Sequence, residues 1–160
     1  MIAAARHTAA PLKGVRATIT TVETLCLSRL HERERQFRPY LEQRAYSIVQ
    51  PDVGWCGITE GLKIAEMAQR YGVDICPHNW HNGLMTMANA HYVAALPSPR
   101  VLELCMIQGP LQWEILREKP AMRAGWLELP DRPGLGVALA ERLEERFPYV
   151  EGNYYVTVQR

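Results

Sequence analysis

The chain has 160 residues, which is enough for one domain with a buried core. Its hydrophobic content of 48%, charged fraction of 22% and net charge of +1 are ordinary for a globular protein and favour no strongly charged partner. The sequence has no basic stripe interleaved with aromatic residues, and its longest apolar runs are far shorter than a membrane span. It therefore predicts neither nucleic-acid binding nor membrane insertion.

The N-terminal residues and the cysteines indicate the compartment. Residues 1–10 lack the apolar core and cleavage site of a signal peptide. The four cysteines are scattered without a C-x-x-C pair, and Cys76 and Cys105 lie inside apolar runs. This pattern is typical of reduced core thiols and not of a zinc site or a disulfide framework. We therefore expect a cytoplasmic protein.

Predicted strands and helices alternate along most of the chain. The β-branched residues of 15–22 predict a strand, and the charged segment 28–44 predicts a helix. Because proline suits the first turn of a helix better than its middle, Pro39 indicates that the well-formed part starts near Phe37. Three further strands are predicted over residues 45–49, 73–76 and 101–105. Helices are predicted between them over 59–71 and 84–96, and Thr59 is the expected N-cap of the first of these.

The pattern weakens beyond the last of these strands. A short edge strand is predicted over 126–129, a short helix over 138–146, and a further strand over 154–158. Trp113 and Trp126 are expected to pack this part of the chain against the rest, with exposure of both as the alternative.

Four titratable side chains lie at or near the ends of the predicted strands: Glu23, Asp52, His78 and Glu103. They are separated by 29, 26 and 25 residues, with a helix predicted between successive members. A right-handed βα repeat of this length places all four at one edge of a parallel sheet. In a closed (β/α) barrel that edge is the face where active sites are built.

These residue types suit acid–base chemistry. A carboxylate beside an imidazole fixes the imidazole tautomer, so Asp52 and His78 together could act as a general acid or base near neutral pH. A glutamate at the same edge could ligate a divalent cation, and oxygen ligands suit Mg²⁺. Taken singly, each residue has a more common explanation: Asp52 as a helix cap and His78 as a loop residue. The repeated spacing favours a site.

Four further residues near this edge have two interpretations each. His81 and His91 are possible ligands, although the helical position of His91 favours a packed or surface role. Asn79 and Trp80 could line a pocket or could simply pack the loop. The sequence leaves these alternatives open.

Several short motifs, in order, resemble the C-terminal half of the enolase superfamily, in its mandelate racemase/muconate-lactonizing branch. The matching residues are Gln50-Pro51-Asp52, Gly57-Ile58-Thr59-Glu60, Pro77-His78-Asn79, Leu102-Glu103 and Pro133-Gly134-Leu135-Gly136. The resemblance implies an α/β fold, a partial TIM-type (β/α) barrel of roughly strands five to eight. We expect this partial barrel over residues 1–130, followed over 131–160 by a C-terminal tail that in the family packs toward a capping domain.

The resemblance also implies an activity. Enolase-superfamily sites pair a Lys or His base with Mg²⁺ and abstract the proton α to a carboxylate. A small carboxylate would be the substrate, and dehydration of a sugar acid is favoured over racemisation. By resemblance, His78 is the acid/base, Asp52 its partner, and Glu23 a metal ligand after the fifth strand. Glu103, on the eighth strand, would contact the substrate carboxylate or the enediolate.

The chain departs from the family pattern in three respects. Val22-Glu23 stands where the family has Gly-Glu, and one glycine is missing before Ile58. The capping domain, a second-strand lysine and two further metal carboxylates have no counterpart in the sequence. Two interpretations therefore remain open. The chain is a truncated enzyme, or it is a non-catalytic remnant or half-enzyme that assembles as a homo-oligomer or with a complementing chain.

Overall fold

A computed structural model describes the chain over residues 14–18 (backbone only), 33–99, 101–105 and 109–151. The predicted metal ligand Glu23, the end of the strand predicted over 15–22 and the strand predicted over 154–158 lie outside these ranges.

Strands and helices alternate as the sequence predicted, which confirms the α/β class. In chain order the elements are β1 (Gly14–Thr18), α1 (Glu34–Glu42), β2 (Ile48–Val49), α2 (Val53–Arg70), β3 (Asp74–Ile75), α3 (Gly83–Ala95), β4 (Leu102–Glu103), α4 (Pro110–Trp113), β5 (Met122–Arg123), β6 (Trp126–Glu128) and α5 (Leu143–Arg146). The β2, β3 and β4 strands are shorter than the apolar runs that predicted them, because such runs report burial and not ladder pairing. Within the described ranges no helix has the length and apolar character needed to cross a bilayer.

The α1 helix begins earlier than predicted and contains its proline. It starts at Glu34, and Pro39 lies inside it. Phe37 and Leu41 flank the proline in the sequence, and both are fully buried. The free energy gained by burying these two side chains therefore outweighs the loss of the backbone hydrogen bond that proline cannot donate.

The α2 helix also begins earlier, at Val53 instead of after Thr59. It is interrupted at Gly57, whose φ of 77° and ψ of 157° are a combination that essentially only glycine adopts. The interruption allows a first helical turn to follow Asp52 directly, before the longer helical segment begins. Asp52 is consequently the N-cap of α2, which places its side chain at the carboxyl end of β2.

The described strands form two sheets. The β2 strand pairs parallel with β3, while a second sheet has the order β4-β1-β6-β5. In that second sheet β1 is parallel to β4 and antiparallel to β6. Parallel strands with intervening helices, without a closed barrel among the described strands, make this a partial TIM-type barrel, as predicted.

A single parallel sheet of four strands was expected, but β1 pairs with β4 and β6 instead of β2, and no ladder joins β3 to β4. Side-chain hydrogen bonds connect the ends of these two strands. The Nδ2 of Asn79, just beyond β3, donates to the backbone oxygen of Glu103 at 2.8 Å. Because β3 and β4 have only two residues each, such bonds can take the place of a ladder at this edge.

The α3 helix is shared by two apolar clusters. One cluster joins α1, α2 and the β2–β3 sheet and includes Phe37, Ile64 and Tyr92. The hydroxyl of Tyr92, on α3, donates to the backbone oxygen of Gly61 on α2 at 3.0 Å. The other cluster includes Leu102 of β4. The helix thereby fixes β3 and β4 relative to one another, and the ends of these strands carry the predicted site.

The C-terminal part packs against the second cluster through Leu135, Val137, Leu143 and Phe147. A backbone hydrogen bond from Ala140 to the oxygen of Ile115 (2.8 Å) ties this part to the segment after α4. Trp113 is buried, as expected, but Trp126 is exposed. The helix predicted over 138–146 is reduced to the single turn of α5. The division at residue 130 remains a prediction.

Candidate functional site

Asp52 lies between β2 and α2, and its two carboxylate oxygens have different partners. Its side chain is only 1% exposed. The Oδ1 atom accepts the backbone N–H of Gly54 at 2.8 Å, which caps the first turn of α2. The helix-cap interpretation of Asp52 is therefore correct for one oxygen. The other oxygen is directed to the loop after β3.

Two histidines of that loop share the Oδ2 atom of Asp52. His78 Nδ1 and His81 Nε2 each lie 2.7 Å from it. An ionised carboxylate only accepts hydrogen bonds, so each of these ring nitrogens must carry a proton. In the neutral rings, the unprotonated nitrogens are therefore Nε2 of His78 and Nδ1 of His81. The structure brings together Asp52 and His78 as predicted; their catalytic role remains a prediction.

The charge of Asp52 is stabilised by these contacts. Burial disfavours the ionised carboxyl, but hydrogen bonds from His78, His81 and the Gly54 N–H together hold the pKa of Asp52 well below its usual range. At neutral pH both imidazoles therefore contact a permanent negative charge. Such a carboxylate stabilises an imidazolium beside it, which is what a general base requires when it takes up a proton.

His81 is the member of this group whose role the sequence left open. It can approach the first turn of α2 because Gly54 has no side chain: a Cβ at position 54 would lie 2.9 Å from His81 Nε2. The His78 and His81 rings meet edge to face, with centroids 6.2 Å apart. The His-x-x-His spacing in a loop after a strand, together with a glycine two residues after the aspartate, is the signal that could have identified it.

Glu103 is held at the same edge by the residues that follow His78. Its Oε2 accepts the backbone N–H of Asn79 at 2.9 Å, and its Oε1 accepts Trp80 Nε1 at 3.1 Å. Glu103 thus lies beside the loop that carries the two histidines. Both of its carboxylate oxygens already accept a hydrogen bond.

A buried polar network fixes this loop. The amide of Asn79 donates to Thr86 Oγ1 (3.4 Å) and accepts from Asn89 Nδ2 (3.3 Å), and all three side chains are fully buried. The Oδ1 of Asn89 in turn accepts the backbone N–H of Val53 at 3.4 Å. Asn79 is therefore a packing residue, whereas Trp80 is 55% exposed. The network connects the start of α2 to the end of β3.

The described residues do not fit a magnesium ion. Mg²⁺ prefers oxygen ligands in octahedral geometry, whereas the group formed by Asp52, His78 and His81 offers two imidazole nitrogens and one oxygen. Each oxygen of Glu103 already accepts one hydrogen bond, from the Asn79 N–H and from Trp80 Nε1. The group of metal-binding side chains found within the described residues is therefore nitrogen-rich and poorly matched to Mg²⁺.

The fold and site together define a class: a (β/α)-barrel domain with a carboxylate–histidine pair at the carboxyl ends of neighbouring parallel strands. A family model, Enolase C-terminal domain-like, matches residues 5–143. The chain therefore belongs to the enolase C-terminal domain-like family, which confirms the resemblance noted from its motifs.

Similar proteins include sugar-acid dehydratases. The chain is 36% identical to the arabinonate dehydratase of Saccharolobus solfataricus over 70% of its own length, and 36% identical to the L-rhamnonate dehydratase of Saccharopolyspora erythraea over 74%. It spans only about three tenths of the length of these relatives. A candidate L-alanine-DL-glutamate epimerase from Burkholderia xenovorans, solved with magnesium and fumarate, aligns over 67% of this chain and 27% of its own, with a TM-score of 0.62 and 33% identity.

Proposed function

We propose that this chain carries the acid–base pair of a sugar-acid dehydratase site, in which His78 moves the proton on the carbon α to the substrate carboxylate. The observation that supports this most is the 2.7 Å contact of His78 Nδ1 with Asp52 Oδ2. That contact leaves Nε2 as the unprotonated nitrogen of a side chain that is 16% exposed at the sheet edge. The family and its dehydratase members favour the same chemistry.

The proposed reaction needs one proton-accepting atom. The lone pair of His78 Nε2 takes the α-proton, and the electrons of the broken C–H bond remain on the substrate as an enediolate. The resulting imidazolium is stabilised by the Asp52 carboxylate. Nε2–H then protonates the β-hydroxyl, which leaves as water while the Cα=Cβ bond forms. Glu103, held by the Asn79 N–H and Trp80, keeps its predicted role as the substrate contact.

A hybrid enzyme tests this proposal. This chain would replace the matching segment of the arabinonate dehydratase, to which it is 36% identical over 113 residues. Exchange of the α-proton of a sugar acid in deuterated water would be followed by NMR. Exchange that requires His78 supports the proposal, and exchange that persists without it contradicts the assignment.

We place the reaction in the cytoplasm, on the basis of the reduced-thiol pattern of the sequence.

Magnesium remains a prediction for this chain. A similar structure holds this ion, but the predicted ligand Glu23 lies outside the described residues. We expect the chain alone to bind Mg²⁺ no more tightly than millimolar, because the resemblance supplies one carboxylate ligand, Glu23, where the family site uses three, and the ion otherwise keeps most of its water. Calorimetric titration measures this. Micromolar binding in the wild type that is lost in Glu23→Gln would contradict the expectation.

A second candidate function is a half-enzyme that completes its site with another copy or a complementing chain. The observation that favours it is the surface beside the histidines, where Trp55 is 64% and Trp80 is 55% exposed. Large apolar side chains clustered next to a functional site are typical of surfaces that become covered. The second reason is that β2 and β3 pair only with each other among the described strands, so both are edge strands whose outer backbone groups another chain could pair with.

Association is expected to be measurable in solution. Light scattering at low micromolar concentration should show a dimer or larger species, and the midpoint of urea unfolding should rise with protein concentration, because association stabilises the folded state. A monodisperse 18.2 kDa monomer with a concentration-independent transition would contradict the second candidate.

A further inference from the structure

Three atoms that commonly bind metals converge on one point of this edge. His78 Nδ1 and His81 Nε2 each lie 2.7 Å from Asp52 Oδ2, and each of the three residues offers a ligand atom within 4.8 Å of those of the other two. We propose that this group, the His–Asp–His cluster, binds a divalent transition-metal ion of the Zn²⁺ class in place of the two protons that now lie between the rings and the carboxylate. This site differs in its ligands from the magnesium site that the family resemblance implies.

The donor set matches such an ion. Two imidazoles and one carboxylate, with a further position open, make up many catalytic zinc sites and the facial triad of non-haem iron. His78 and His81 are 16% and 21% exposed, so a fourth ligand, such as water, can reach the ion. Imidazole nitrogens select Zn²⁺, Co²⁺ or Ni²⁺ over Mg²⁺.

The two distances between the ring nitrogens and the carboxylate require only a small adjustment. With metal–ligand bonds of about 2.0–2.2 Å, neighbouring ligand atoms of a tetrahedral ion are about 3.3 Å apart. The two ring nitrogens are each 2.7 Å from Asp52 Oδ2 and would have to move away by about 0.6 Å. The Gly54 N–H holds the other oxygen, Oδ1, so Oδ2 is already oriented as a single-oxygen ligand.

Metal binding would change the protonation of His78. Coordination through Nδ1 requires that nitrogen to lose its proton, and in the neutral ring the proton then resides on Nε2. The atom that we propose as the catalytic base would thereby become an N–H donor. Metal occupancy and proton abstraction are therefore mutually exclusive at His78. This consequence rests on the proposed function; the binding itself does not.

Titration of the metal-free chain with Zn²⁺, and separately with Co²⁺, tests the proposal. We expect one Zn²⁺ per chain, binding at least about tenfold more weakly in His81→Gln. The matched control is His91→Gln, because His91 Nε2 contacts the backbone oxygen of Leu135 and lies outside the cluster. That variant should bind as the wild type does. Bound Co²⁺ should show no thiolate charge-transfer band, and excess Mg²⁺ should not displace it.

The proposal would be overturned if His81→Gln bound Zn²⁺ as tightly as the wild type, or if His91→Gln weakened Zn²⁺ binding as much as His81→Gln does. A thiolate charge-transfer band of bound Co²⁺ would also overturn it. Circular dichroism checks that each variant is folded. If His81→Gln does not fold, Gly54→Ala provides the same comparison, because its Cβ crowds His81 Nε2 while every ligand is retained. Its affinity should fall at least about tenfold, and unchanged affinity would again overturn the proposal. Because the measured quantity is metal binding and not turnover, failure of the metal-binding proposal can be distinguished from failure of the proposed function.

Discussion

Replacing His78 by Asn in the hybrid enzyme is expected to slow exchange of the substrate α-proton by about 10²–10⁴-fold, the range that a positioned general acid or base contributes. The asparagine side chain can still donate a hydrogen bond to Asp52. The variant therefore removes the proton-accepting Nε2 while the buried carboxylate keeps a hydrogen-bond donor. Exchange is measured by NMR in deuterated water at substrate saturation.

The matched control for this variant is His91→Asn. His91 is a histidine of the following helix, and it contacts the backbone oxygen of Leu135 and no member of the His–Asp–His cluster. Its replacement should leave exchange within about twofold of the unmodified hybrid, since it has no proton-transfer role. Equal losses in the two variants would assign the effect of His78→Asn to folding and not to proton transfer.

Replacing Asp52 by Ala is expected to lower the free energy of unfolding by about 2–4 kcal/mol, from a lost helix cap and lost charged hydrogen bonds. The reason is that the carboxylate is buried, caps α2 through Gly54 and accepts from His78 and His81. Urea unfolding measures the change. Asp52→Asn keeps an oxygen for the cap and should cost less, so a loss as large as that of Asp52→Ala would contradict this division of roles.

The same carboxylate predicts an acid-dependent stability. Its pKa is lowered on folding from an ordinary value of 3.8, so the unfolded state binds the proton more readily. The stabilisation is therefore present above about pH 4 and is lost as the pH falls through the lower, folded pKa. The wild type should lose more stability than Asp52→Asn between pH 5 and 2. Parallel curves for the two proteins would contradict the prediction.

The alternation of elements and the pairing of Asp52 with His78 were predictable from the sequence, for a simple physical reason. Buried parallel strands are apolar runs, and the side chains that follow neighbouring parallel strands share one edge. The β2–β3 ladder places the two residues where that rule requires. Glu103 follows from the same rule, although β4 is connected to the segment after β3 through Asn79 and not through a ladder.

The position of His81 and the start of α2 were not predictable in the same way. His81 reaches Asp52 only because the loop turns back over a residue without a side chain, Gly54. The early start of α2 depends on the conformation of Gly57, which no periodicity records. The pairing of β1 with β6 is a long-range contact between segments whose local pattern gave no preference for each other. Each of these features is decided by tertiary contacts.

The most direct test of this account is the tautomer of His78, observed by ¹⁵N NMR of the metal-free chain in mildly alkaline buffer. If Asp52 Oδ2 accepts from His78 Nδ1, the neutral ring must be protonated at Nδ1 and unprotonated at Nε2. We expect that form in the wild type and a change in the tautomer ratio in Asp52→Asn. A ring protonated at Nε2, with the same spectrum in both proteins, would contradict the Asp52–His78 pair and the base that it defines.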